Sequence, residues 1–423
     1  MRTRPKGYRA NALQSHKISL QKDTSDRKNA VVIPWKMYLA CMPNMPVDRI
    51  YLSPPHLSPK AMEYLSEAVA SNWIAPVGPM VTRFEETLKQ YSGCEHCLAL
   101  NSGTSALHLA LIVAGVSVGD DVLCSTFTFA ASAFPILYQK ATPIFVESEV
   151  RGWNLCPDTL EQAILDRNRK GHKPKALVVA HSYGNPADMD AILDICDRHG
   201  VTVIEDAAEA VGSSLHGKAM GTHSPLGAYS FNGNKIITCS SGGALLCKDS
   251  TQAKHARKIA AQAKEPSLHF EHHEEGHNFL MSNLLAAVGV SQFEVLKERV
   301  EARRKNFENY RSKLQSTPGC QWQEELAGAL SNRWLSAFFF APESNVNALG
   351  WMEKLAAANI ESRPLWKPMH TQKAFTGAPY YGNRLSEKLF ANGICLPSGG
   401  MLTALDQQRI LELMFDTKFD QIS

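Results

Sequence analysis

The sequence predicts an α/β protein: a large, mostly parallel sheet with helices on both faces, followed by a smaller C-terminal α/β domain. Three observations carry this expectation. Short β-rich apolar runs alternate with stretches whose apolar residues recur at three- and four-residue spacings. A long charged helical segment then separates this alternation from a new mixed region. The composition, 423 residues with 44% hydrophobic and 20% charged, suits a sizeable core and excludes a disordered or low-complexity chain.

Residues 1–48 stand apart. Their first thirty residues hold Arg2, Arg4, Lys6, Arg9, Lys17, Lys22, Arg27 and Lys28 against only Asp23 and Asp26, with no apolar period. They are expected to be a flexible extension or the product of an upstream start, with Met42 or Met45 as the working one; an organelle leader is the alternative. From Ile50 the spacings predict helices over 60–70, 79–91 and 104–114, and strands over 121–124, 142–146, 176–180, 202–205, 228–231 and 243–247. Residues 294–314 read as a long helix with Leu296, Val300, Phe307 and Leu314 on its dry side and Glu298, Glu301, Arg304 and Lys305 on its wet side. A strand over 335–340 and helices over 346–358 and 404–414 follow, so a large domain is placed at 49–295 and a small one at 296–423.

Forty-four basic against forty-one acidic side chains leave a net charge of +3, which demands neither a nucleic acid nor a membrane surface as partner. The apolar runs fall short of the ~20 residues that a bilayer crossing needs. Ten cysteines are scattered singly, several inside apolar runs, as expected of reduced core thiols in the cytoplasm. The one close pair, Cys94 and Cys97, reads as core lining rather than as a redox motif.

No G-x-G-x-x-G turn and no G-x-x-x-x-G-K-[ST] loop is present, which argues against nicotinamide and P-loop chemistry. Instead Asn101-Ser-Gly-Thr-Ser-Ala106 stands directly ahead of a helix, a phosphate cup or simply a good N-cap. Glu205 and Asp206 lie at the carboxyl end of an apolar strand, where ligands bind in open α/β sheets. An acid there needs a cation or a protonated ring nitrogen. Lys235 lies between a β-like run and another apolar segment; such a lysine is costly unless neutralised, paired or engaged as an imine.

In order, Asn101-Ser-Gly-Thr-Ser-Ala-Leu107, Glu205-Asp-Ala-Ala208, Ser230-Phe-Asn-Gly-Asn-Lys235 and Gly242-Gly243 resemble the pyridoxal-phosphate sugar aminotransferases of the DegT/DnrJ/StrS family. The resemblance runs from Ile50 to near the C-terminus and implies the fold type I, aspartate aminotransferase-like, PLP-dependent transferase architecture. Tyr51–His56, Asn72–Pro76, Phe231–Thr238, Ser331–Ser336, Ile360–Lys367 and Asn392–Ser398 are similar to the bacillosamine-pathway branch. That branch implies transfer of an amino group from L-glutamate to the C4 ketone of a UDP-4-keto-6-deoxy-N-acetylhexosamine.

The resemblance assigns roles residue by residue. Lys235 would join pyridoxal 5'-phosphate and shuttle the proton, and Asp206 would keep the pyridine nitrogen protonated. Gly103, Thr104, Ser105 and Ser230 would hold the phosphate, Phe129 would stack on the ring, and Glu209 would border the ring oxygen. Asn278 would reach the phosphate of a partner subunit, which implies a homodimer with shared active sites. Asn72, Trp73, Ile74 and Ala75, the Ser331-Asn-Arg333 stretch, Arg363, and Met369, His370, Thr371 and Gln372 would surround the nucleotide sugar. Two departures stand out: Leu280 where relatives usually carry Arg, and Cys239-Ser-Ser241 before Gly242. The run of His269, His272, His273 and His277 among Glu271, Glu274 and Glu275 reads as a polar loop, with no metal expected. Two rivals remain: a dehydratase, against which Lys235 argues because that branch carries His there, and a cofactor-binding regulator that performs no turnover.

Overall fold

The computed structural model describes residues 49–416; the expected N-terminal extension at 1–48 lies outside the described residues. After α1 (Ala61–Ala70) and α2 (Pro79–Ser92), the chain enters β1 (His96–Leu100) and α3 (Gly103–Val113). Proline at the first position of α2 and a left-handed Gly93 behind it bound that helix, as the geometry of helix ends favours. Alternation follows: β2 (Asp121–Ser125), β3 (Thr142–Val146), α4 (Pro157–Arg169), β4 (Ala176–Ala180), α5 (Met189–His199) and β5 (Thr202–Asp206). Next come β6 (Leu226–Ser230), β7 (Gly243–Cys247), α6 (Ser250–Ala260), α7 (Asn283–Phe293) and α8 (Leu296–Leu314). The remainder holds β8 (Cys320–Trp322), β9 (Ser336–Phe340), α9 (Ala348–Ala357), β10 (Arg363–Pro364), β11 (Tyr380–Tyr381), α10 (Leu385–Asn392), β12 (Gly393–Leu396) and α11 (Ala404–Phe415).

The main sheet has eight strands in the order β1-β7-β6-β5-β4-β2-β3-β11. From β6 to β11 every pairing is parallel, whereas β7 runs antiparallel to both β6 and β1. Strands β2, β4, β6 and β7 are buried along their whole length because helices cover both faces. Helix α3 is buried nearly all round and points its N-terminus at the carboxyl ends of the parallel strands, with Ser102 capping it by accepting the Ser105 N–H at 3.0 Å.

A second sheet of four antiparallel strands, β8-β9-β12-β10, packs beneath α9 and α11. The boundary expected at 295/296 lies between α7 and α8. Across it, β11 adds a parallel edge strand to the main sheet, and one hydrophobic cluster joins Tyr64 and Phe84 to Trp334, Phe339 and Leu389. The dry face of α8 departs from expectation: besides Leu296, Val300, Phe307 and Leu314 it buries Arg299, Arg303 and Asn306.

One buried ion pair fastens α4 to the sheet: Arg167 Nε donates to Asp121 Oδ2 at 2.6 Å, with the two side chains 11% and 3% exposed. Removing the cation strands a carboxylate at the start of β2. Arg167→Met is expected to cost about 3 kcal/mol of stability, read as the free energy from urea unfolding; a loss under about 1 kcal/mol would show that the Asp121 carboxylate finds another partner.

Candidate functional site

The carboxyl ends of β2, β4, β5 and β6 and the N-terminus of α3 surround a cavity of about 270 Å³. Of the residues assigned from sequence, Gly103, Thr104, Phe129, Asp206, Glu209, Ser230 and Lys235 all line it. Ser102 lines it too, while Ser105 is turned inward and bonds Asn101 Oδ1 at 2.7 Å and Ser102 Oγ at 2.9 Å. Ser102 is the N-cap whose Oγ accepts the Ser105 N–H, so both serine side chains belong to the cap, and Ser105 is not part of the cavity lining.

The floor near α3 fits a phosphate group. The first helical N–H groups have no carbonyl behind them, and the helix dipole favours an anion. A Cβ on Gly103 would meet the Ser230 Cβ at 2.8 Å, and one on Gly243 would meet Gly103 N at 2.4 Å, so only glycine allows β6, β7 and α3 to approach this closely. Deeper in, Asp206 accepts the Ser132 hydroxyl at 2.6 Å and the Ala208 N–H at 3.1 Å, leaving carboxylate lone pairs for a ring N–H. Phe129 is 54% exposed, and Trp366 lines the cavity with a buried indole N–H that has no partner. A flat ring bearing a phosphate, pyridoxal 5'-phosphate, matches this set of groups.

Lys235 is held from two sides. Its Nζ lies 3.6 Å from Glu209 Oε1 and 4.1 Å from the centre of the Trp334 ring, at 11% side-chain exposure. Burial pushes the Glu209 carboxyl up, an effect that the Lys235 cation and the Tyr183 N–H at 2.7 Å only partly offset.

Sequence reasoning missed a neighbouring pair. Glu205, side by side with Asp206 in sequence, faces the other side of the sheet and is fully buried. It accepts from Gly221 N–H and Ser224 N–H at 2.7 Å each, and from His181 Nε2 at 3.1 Å. His181 Nδ1 accepts the Ala187 N–H at 3.2 Å, which places the ring proton on Nε2. Burial pushes Glu205 up, but His181 and the backbone donors outweigh it and hold the carboxyl at about 2. The signal that could have found His181 was its position directly after the apolar run 176–180, at the ligand-binding end of β4.

The expected sugar contacts scatter. Arg333 is 8% exposed, donates to Gln323 O at 2.9 Å, pairs with Glu325 at 3.2 Å and lies 4.1 Å from the Phe307 ring centre. Met369 is 2% exposed within the core beside Phe375. His370 is held by Thr126 at 2.6 Å and stacks on Tyr380 at 3.8 Å. None of the three lines the cavity: the polar groups of Arg333 and His370 are engaged within the chain, and Met369 lies in the core. Thr371, Gln372 and Arg363 lie outside the cavity; Thr371 and Arg363 are exposed, and Arg363 is bonded to Glu361. Asn72, Trp73, Ile74 and Ala75 form an exposed segment whose carbonyls at 73 and 75 are pinned by Asn283 at 2.8 and 2.9 Å. Asn278 is exposed and stands outside its own chain's cavity, with its carbonyl taken by Asn101 at 3.1 Å. The histidine loop is exposed, with His273 between Glu265 and Glu271 at 3.2 Å. Among the described residues no helix is long and apolar enough to cross a membrane.

The model of the DegT/DnrJ/EryC1/StrS aminotransferase family matches residues 55–415. The chain is 47% identical over 370 residues to a Bacillus subtilis protein described as a pyridoxal phosphate-dependent aminotransferase, EpsN, covering 86% of this chain and 95% of that one. It is 33% identical to the GDP-perosamine synthase of Caulobacter vibrioides, covering 86% of this chain and 97% of the relative. Among solved structures, a DegT DnrJ EryC1 StrS aminotransferase from Brucella abortus superposes with a TM-score of 0.79 at 28% identity, covering 84% of this chain and 95% of that one.

The Glu205 cage sets an acid limit. Because its folded pKa lies below the ordinary 4.5, its contribution is present above about pH 5 and is lost as pH falls toward 2. Glu205→Gln is expected to lower stability at pH 7 by on the order of 3 kcal/mol and to flatten the decline between pH 5 and pH 2 in denaturant titrations. An unchanged acid slope in the variant would place the acid sensitivity elsewhere.

Proposed function

The chain belongs to the DegT/DnrJ/EryC1/StrS aminotransferase family, and on that premise we propose that it moves an amino group from L-glutamate to C4 of a UDP-4-keto-6-deoxy-N-acetylhexosamine. The product would be UDP-4-amino-4,6-dideoxy-N-acetylglucosamine, a precursor for bacillosamine-type glycans or polysaccharides. The fold is the PLP-dependent transferase fold type I, the cofactor is pyridoxal 5'-phosphate, and the activity is nucleotide-sugar transamination. The choice of sugar, nucleotide and donor is our reading of the branch-like segments around Ser53, Trp334 and Trp366.

The observation that carries the proposal is the meeting of Lys235, Asp206 and the N-terminus of α3 in one cavity. When bound, the cofactor supplies a carbonyl that exchanges for an amino group and a ring that accepts an electron pair. Lys235 Nζ is the amine that holds that carbonyl and, once displaced by the donor, the base that moves the proton off the amino-bearing carbon and later onto the sugar carbon. Glu209 at 3.6 Å takes up or returns the charge as Lys235 changes protonation. Asp206, fixed by Ser132 and Ala208, keeps a proton on the ring nitrogen. Gly103, Thr104 and Ser230, with the N-terminal N–H groups of α3, would hold the phosphate, and Phe129 would cover a ring face.

Asn278 and the 72–75 segment are exposed and outside their own cavity. That position supports a homodimer in which a second copy is completed by them. Leu280, packed beside Leu100 rather than offering a cation, removes one charge from that shared edge and disfavours tight diphosphate binding there. Among the described residues the free cysteines are mostly buried, which supports a reducing, cytoplasmic setting.

Incubation with L-glutamate and a panel of UDP- and dTDP-4-keto sugars, followed by mass spectrometry and 2-oxoglutarate assay, is expected to give many turnovers with the UDP-4-keto-N-acetylhexosamine. A single equivalent of 2-oxoglutarate would instead identify a non-turnover cofactor-binding regulator, and preference for another keto sugar would replace the substrate. Lys235→Ala is expected to abolish turnover, by on the order of 10⁴-fold or more, with the fold intact by circular dichroism.

A further inference from the structure

The peptide group directly before Lys235 is clamped twice. The Asn234 carbonyl accepts the Ser53 hydroxyl at 2.6 Å and the Trp334 indole N–H at 2.8 Å. Both donors are in turn held by one guanidinium: Arg303 Nη2 donates to Ser53 Oγ at 3.0 Å, and Arg303 Nη1 donates to the Trp334 carbonyl. The ring of contacts draws together chain positions 53, 234, 303 and 334 from four separate segments. Ser53 has one hydroxyl proton, which it gives to Asn234, so its oxygen is free to accept from Arg303.

This arrangement is expensive. Arg303 is 2% exposed and lies outside the cavity lining. Among the described residues no carboxylate pairs with it, its Nε has no partner, and burial and the nearby Arg299 push its pKa down to about 9. An apolar side chain of similar volume would fill the space at lower cost. What an apolar residue cannot do is hold two acceptors at a fixed separation with one planar fork.

The far side is fixed by Asn332. Its amide donates to the Glu209 and Val211 carbonyls at 2.8 Å each, and its oxygen accepts the Trp334 N–H at 2.8 Å. Glu209 and Trp334, the two groups that flank the Lys235 amine, are thus joined through one side chain, and a left-handed Arg333 turns the chain between them.

We infer that Arg303 is a positioning residue for Lys235: through Ser53 and Trp334 it fixes the Asn234 carbonyl and so sets the amine between Glu209 and the Trp334 face. The inference rests on Lys235 being the amine that holds pyridoxal phosphate. Arg303→Lys keeps the charge but cannot span both acceptors; Ser53→Ala removes one of the two donors to Asn234, and Ser53→Thr restores it.

The test compares stripped and reloaded full-length protein for the rate of pyridoxal phosphate capture, followed by absorbance and by mass after borohydride reduction. Steady-state constants for L-glutamate, read as label exchange with isotopically labelled 2-oxoglutarate so that the amino group has an acceptor, and melting temperature are measured in parallel. Arg303→Lys should slow capture and kcat by about 100-fold with KM changed less than about three-fold. Ser53→Ala should slow both by about 10-fold at an unchanged melting temperature, with Ser53→Thr near wild type. If Arg303→Lys does not fold, the Ser53 pair decides alone. Wild-type capture and kcat in Ser53→Ala overturn the inference while leaving the proposed function standing; no capture by the wild type removes both.

Discussion

A primary amine held at the wall of a cavity beside a buried carboxylate is the constraint on which the rest of this site depends. The Lys235 amine, at 11% side-chain exposure, is compensated by Glu209 at 3.6 Å and by the Trp334 indole at 4.1 Å. Each of those partners must itself be fixed. Glu209 is anchored by the Tyr183 N–H and, through its own carbonyl, by Asn332; Trp334 is anchored by Asn332 and Arg303. The placement of one nitrogen atom therefore draws on the main sheet, on α8 and on the segment leading into the second sheet.

The sheet supplies polarity as well as support. Parallel strands end together at one edge, so the groups that follow β2, β4, β5 and β6 converge without further device. Asp206 and Glu205 show how fine the resulting division is: adjacent in sequence, they face opposite sides of β5. Asp206 opens on the cavity, and Glu205 is enclosed by His181, Gly221 and Ser224. The strand's two-residue period, not the identity of the acids, decides which of them can reach a ligand.

Strands buried on both faces were legible because they must be written as unbroken apolar runs, and 142–146, 176–180 and 243–247 appear in the structure with those bounds. Lys235, Asp206 and the α3 cup were also legible, since charged or hydroxyl groups beside apolar strands need a purpose; Glu209 came only from the family resemblance. The aromatic walls were not. Trp334 and Trp366 lie in segments that sequence reasoning had singled out, yet the roles went to the neighbouring Arg333 and Arg363, because an indole lining a cavity looks the same in sequence as an indole in a core. Arg303 was hidden for the opposite reason. On a helix so charged, a buried arginine satisfied by a carbonyl and a serine hydroxyl far away in sequence leaves no periodic trace.

Among the described residues Lys235 is the lysine that lines the cavity, placed to hold pyridoxal phosphate. Borohydride reduction of the loaded protein followed by peptide mapping tests it most directly. A stable pyridoxyl adduct confined to the peptide that contains Lys235, and lost in the Lys235→Ala variant, is expected. An adduct spread over surface lysines, or none at all, would contradict it.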